Sequence, residues 1–165
     1  MPLCSWEPAQ YLFFSSNVPP LFYYSHGISV VFALVFGFLL FLKARKILAA
    51  KLFFIITLLF SSWVLLDLYI WASNDPSSIL FFWSIIILVE VLIYIFSIYF
   101  IDALNEKRDV TLGKKWLMLF LILPIVLTLP THFNLAGIDM SYCVAIEGVI
   151  ATYYIYTVEI FSIMW

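Results

Sequence analysis

Charge is what this sequence has least of. Asp, Glu, Lys and Arg make up 11% of its 165 residues, against roughly a quarter in an average globular chain. So little charge cannot cover a water-soluble domain of this size, and a charge-poor, apolar-rich composition is the opposite of disorder. Neither sign is in large excess. Eight Lys and Arg against ten Asp and Glu leave a formal net charge of −2, with no basic face for nucleic acid. Histidine and cysteine occur twice each, without HxxxH or CxxC spacing, so no metal site or other cofactor is expected. The five glycines form no phosphate-cradling loop, and neither GxSxG nor HExxH is present. No catalytic constellation appears, and no enzyme activity is expected of the chain as it stands.

Apolar residues, by contrast, reach 65% and aromatics 20%. They are gathered into five runs, 24–42, 52–72, 79–101, 116–131 and 149–165. Crossing about 30 Å of hydrocarbon takes about 17–25 such residues as a helix, whereas barrel strands would be about ten residues of alternating polarity. Lipid admits helices or closed barrels only. The expected fold is therefore all-α, a polytopic membrane bundle of five helices over 24–165. Polar breaks separate the runs: 43–51, 73–78, 102–115 and a longer loop over 131–148.

The cations order the topology. Lys43, Arg45, Lys46 and Lys51 follow the first run, and Lys107, Arg108, Lys114 and Lys115 follow the third. None lies in the N-terminal tail or in the other two connections. Positive charge stays inside, so loops 43–51 and 102–115 are expected in the cytoplasm and the N-terminus outside, in the plasma membrane. Residues 1–23 lack a signal peptide's basic start and cleavage site. Their Trp6, Tyr11, Phe13, Phe14, Phe22 and Tyr23 suit a segment lying against the outer interface. The fifth run ends without a basic flank, which leads us to expect a truncated version of a longer chain.

Three acids fall inside the runs: Asp67, Glu90 and Glu159. A carboxylate near the bilayer centre costs about 2.5–3.5 kcal/mol on insertion scales. The sequence offers no cation at matching depth, so Glu90 and Glu159 should be protonated or should face the bundle interior. At about 1.5 Å per residue, Glu90 lies roughly 16 Å and Glu159 roughly 15 Å from the outer ends of their helices, with Asp67 at roughly 7 Å. Each has company at helical spacing: Trp63 and Trp71 with Asp67; Trp83, Tyr94 and Ser97 with Glu90; Thr152 and Tyr156 with Glu159. Two readings stay open. One is interhelical hydrogen bonding that holds the bundle together, at about 0.6 kcal/mol per bond. The other is a ligand or signal site, a small-molecule or lipid cavity open to the outer half of the membrane. His26 and His132 lie at the outer ends of the first and fourth runs. Pro124 should bend the fourth helix. Cys4 and Cys143 both fall outside, where a disulfide persists, and a bridge between them would close the tail over the bundle mouth; two free thiols are the alternative.

From Tyr24 onward the order of features resembles the N-terminal seven-helix membrane region of some bacterial sensor histidine kinases. The likeness rests on Tyr24-Ser25-His26, on Lys43-Ala44-Arg45-Lys46, and on Phe82-Trp83 followed by Glu90. Leu123-Pro124 and the segment from Cys143 to Glu147-Gly148 add to it. The resemblance implies an input module of a two-component system, whose partners would be further C-terminal helices and a cytoplasmic kinase. The chain departs from it in having five runs rather than seven, with no phosphoacceptor-histidine helix and no ATP-binding boxes. The other functions in view are a transporter or channel component using Glu90 and Glu159, and a small structural subunit of a membrane complex. A homodimer is compatible with each.

Overall fold

The computed structural model describes residues 14–16, 18–107, 109–129 and 131–165. It is mostly helical, with five helices and one small hairpin. Helix α1 spans Pro20–Ala44, α2 Leu48–Ala72, α3 Pro76–Glu106, α4 Leu112–Thr128 and α5 Val149–Met164. The first four begin three or four residues earlier than apolarity alone predicts. Pro20 opens α1 with its φ already helical. Asp75 caps α3, accepting from the Ser78 backbone N at 3.0 Å and from Ser78 Oγ at 2.6 Å, and Pro76 takes the next position. Those bonds hold the Asp75 carboxyl below its usual range. Lys107, left-handed at φ 54°, ends α3.

Three helices, α1, α2 and α3, are long and apolar enough to cross a membrane. The other two are shorter, 17 residues for α4 and 16 for α5. Helix α4 starts at Leu112 rather than at 116 and stops at Thr128 rather than 131. It takes in Lys114 and Lys115 because both have acidic partners: Asp102 and Glu106 for Lys114 at 3.0 and 3.3 Å, and Asp109 for Lys115 at 2.6 Å. Pro124 lies inside it, and Thr128 Oγ1 bonds back to the Pro124 carbonyl.

The all-α class fits, and the loop expected over 131–148 is more ordered than polarity alone suggests. It holds an antiparallel hairpin, β1 Leu135–Asp139 and β2 Val144–Glu147, with a bulge between Leu135 and Gly137. Val144-Ala145-Ile146-Glu147 alternates, so Ala145 turns inward and joins Leu135 and Cys143 in the core. The N-terminal boundary at 23 moves as well. Residues 20–23 belong to α1, and Val18 packs with Leu68 and Ala72 under Phe22 and Tyr23. Trp6, Tyr11 and Phe13 lie outside the described residues.

Helix α3 is the centre. It packs on α2, α4, α5 and both strands, while α1 packs on α2. Its buried Ile79, Ile87, Val91, Ile95 and Ile98 form the core with Ile125 of α4 and Ile155 and Val158 of α5. Buried Thr57 and Ser61 of α2 donate to the Phe54 and Thr57 carbonyls of their own helix, as a helix in lipid requires. The outward faces of α1 and α4 stay apolar, from Leu21 and Phe32 to Phe120 and Leu127.

Candidate functional site

Three acids and two tryptophans meet between α2, α3 and β2. Trp63 and Asp67 come from one face of α2, a turn apart. Trp83 and Glu90 come from one face of α3, two turns apart. Glu147 comes from the end of β2. With Ile70, Ile86 and Ile87 they line a cavity of about 120 Å³. A second cavity, of about 150 Å³, lies beside it and is lined by Glu90, Glu147, Thr152, Ile155 and Tyr156. Glu90 and Glu147 are thus shared walls. Each space has room for water, and each has the polar partners water needs.

Glu147 lies in a stretch that polarity alone reads as a loop, which gives no sign that it belongs to the site. Its Oε1 accepts from Trp83 Nε1 at 3.1 Å and its Oε2 from Thr152 Oγ1 at 3.2 Å. One carboxylate therefore joins α3 to the first turn of α5. The signal was present, in the alternating residues before Gly148, but only the hairpin carries Glu147 down onto α3. Gly148 is required there. A Cβ at this position would run into the Phe133 carbonyl.

Deeper in, Tyr94 Oη donates to Glu90 Oε1 at 3.4 Å. Glu159 lines neither cavity. Tyr156 stands at the rim and is more than half exposed, at 55%.

The sequence reading places no Lys, Arg or His at matching depth; the structure corrects this for Asp67, setting His26 of α1 beside it with Nε2 3.1 Å from Oδ2. His26 Nδ1 is 2.9 Å from the Phe22 carbonyl. His26 and Trp63 also border a neighbouring space of about 180 Å³ with Ser25, Ser29, Phe60 and Val64. Trp71 is not at the site; it packs against Phe22. Ser97 bonds to the Ile93 carbonyl of its own helix. His132 lines a separate cavity of about 270 Å³, together with Thr131 and residues of β1. Cys143 is disulfide-bonded, and Cys4 lies outside the described residues. Among the described residues no group of three or more His, Cys, Asp or Glu side chains is arranged to hold a metal ion.

A second polar cluster closes the far end of the bundle. Asp102, buried near the end of α3, accepts from Trp165 Nε1 on Oδ1 at 3.1 Å and forms an ion pair with Lys114, whose Nζ lies 3.0 Å from Oδ2. Lys114 Nζ also stands 5.3 Å from the centre of the Trp165 ring. Helix α5 is consequently tied to α3 by side chains at both ends, and to α4 midway by Tyr154 Oη on the Leu121 carbonyl at 2.8 Å.

No protein-family model, curated protein or solved structure matches the chain.

Proposed function

We propose that the chain is a sensory input domain of the plasma membrane, with five helices crossing the bilayer. In this reading the N-terminus and hairpin lie outside, and the lysine-bearing ends lie in the cytoplasm. The grouping of all eight cations around the α1–α2 and α3–α4 connections supports the orientation. A bundle of this kind can accept a 16- or 17-residue helix, since short spans are accommodated by local thinning of the bilayer.

One observation carries the functional part. The acid- and tryptophan-lined cavity lies where α5 begins, and Glu147 holds that first turn to α3. Occupying or protonating the cavity would alter the bonds that set the position of α5. The other end of α5 is held by Asp102 and Lys114, on the side where a cytoplasmic partner would read it. The resemblance to histidine-kinase membrane regions supports a kinase as that partner. A small molecule or lipid headgroup reaching Trp63, Trp83 and Glu147 from outside is the stimulus this geometry suits. A transport role is the second reading, favoured by Glu90, which lines both cavities and accepts from Tyr94.

The test is transmission. The chain is labelled with fluorotryptophan, and Trp165 is assigned through Trp165→Phe. Glu147→Gln at the outer mouth should shift the Trp165 fluorine resonance at the far end of α5. An unshifted Trp165 signal, with Trp83 visibly perturbed, would sink the sensor reading.

A further inference from the structure

We propose that the α1–α2 connection holds the headgroup of an anionic phospholipid of the phosphatidylglycerol kind, in the leaflet it faces. The inference needs α1 and α2 to lie in lipid, as their length and apolarity allow. It depends neither on which side of the membrane the connection faces nor on what the chain signals.

Four cations fall within 43–51: Lys43, Arg45, Lys46 and Lys51. Lys43 stands in the last turn of α1, Arg45 and Lys46 make the turn, and Lys51 stands in the first turn of α2. All four are exposed. Among the described residues none of the four is in an ion pair. No Asp or Glu occurs between Glu7 and Asp67, so the chain nearby supplies nothing to neutralise them.

The α3–α4 connection behaves differently. The rings of Phe53 in α2 and Phe100 in α3 are 5.8 Å apart, which puts both connections at one end of the bundle. There Lys114 is paired with Asp102 and Glu106, and Lys115 with Asp109. All three acids of that connection are thus engaged, and the α1–α2 cations face outward unanswered. Helix α2 adds to their field. It opens at Ile47 with no side-chain cap and no acid in its first turn. A helix start favours an anion, yet Lys51 puts a cation there.

The surroundings select a lipid over a free anion. Ile47, in the midst of the cations, is 59% exposed. Leu39, one turn before Lys43, and Leu42 beside it are exposed as well. A molecule with an anionic head and an acyl chain covers both the charges and this apolar flank, whereas a soluble phosphate covers only the charges. Helices of 25 residues reach about 37 Å at about 1.5 Å per residue, against about 30 Å of hydrocarbon. Their joined ends therefore stand in the headgroup layer, where basic clusters beside membrane helices attract anionic lipid.

The full chain is purified in detergent, and native mass spectra count lipid adducts as phosphatidylglycerol or the matching phosphatidylcholine is titrated in. Phosphatidylglycerol should bind at least about tenfold tighter, a gap of about 1.4 kcal/mol, and the gap should narrow as salt is raised. Lys43→Gln and Lys46→Gln should each weaken phosphatidylglycerol about fivefold, the effect of about 1 kcal/mol per cation, and leave phosphatidylcholine as it was. Lys115→Gln, which removes a cation already paired, should change neither. Glycerol phosphate at the lipid's concentration should not displace it. Equal affinity for the two lipids overturns the site. So do Lys43 and Lys46 variants that bind like the unaltered chain, or an equal loss in Lys115→Gln. Displacement by glycerol phosphate overturns the lipid in favour of a free phosphate. Lipid selectivity and its salt dependence are read on the unaltered chain, so they decide the matter even where a variant fails to fold. Neither depends on the Trp165 result.

Discussion

At the residue scale the structure turns on close approaches and caps. A Cβ on Gly37 would collide with the Thr57 side chain, so α1 and α2 pack closely there. Gly37→Ala should destabilise the bundle by about 1–3 kcal/mol, the usual cost of overpacking, in reversible unfolding from detergent. Thr57→Ala in the same chain should recover most of that loss, since the two sites share one contact. Gly148→Ala should cost more and find no such rescue, because the atom it meets is backbone. Asp75 supplies a pH test. Its carboxyl lies below the usual range because Ser78 bonds to the ionised form. The cap's contribution is therefore complete above the ordinary Asp pKa and is lost only as pH falls through the lowered value. Amide exchange at Ser78, corrected for intrinsic rates, should stay protected through the ordinary Asp range and open below it. Opening at the ordinary Asp pKa would contradict the cap. Of the site residues, Trp63, Asp67, Trp83 and Glu90 could be read from spacing, since each pair shares a helix face. Glu147 and the His26–Asp67 pair could not. Both depend on where an element starts or folds back, and polarity alone does not reveal that.

At the element scale α5 is the piece with leverage. It has few buried residues, Ala151, Ile155 and Val158, so polar bonds hold a larger share of it than of α3. Trp83→Phe removes the donor to Glu147 and keeps the ring. It should cost about 1.5–3 kcal/mol, as for hydrogen bonds to charged groups, and loosen the β2–α5 junction. Faster exchange of the Gly148 amide, which bonds to the Asn134 carbonyl at 2.8 Å, would report it; unchanged exchange would refute it. At the other end, Trp165→Phe should release Asp102 Oδ1 and raise the mobility of the last turn of α5 while leaving the hairpin untouched. The hairpin itself was only half legible. Its alternation is clear over 144–147, but β1 is interrupted by a bulge at Ala136-Gly137, which blurs a period of two.

At the scale of the whole molecule the membrane reading makes a simple demand. Amine-reactive reagents that cannot cross a bilayer should label the chain's lysines in inverted vesicles and leave them unlabelled in intact cells. Labelling from both sides would break the five-span topology. The proportion of apolar to charged residues, the five runs and the sorting of every cation into two connections are properties of the chain alone. Hydropathy acts locally, and transfer into lipid sums over a segment whatever that segment packs against. What only the tertiary structure decided is who meets whom inside: Glu147 carried onto Trp83 by a hairpin, His26 against Asp67, Trp165 on Asp102. These partners lie 41 to 64 residues apart in sequence. Their meeting depends on helix starts, offsets and packing between elements, none of which a count of apolar side chains along one strand of sequence contains.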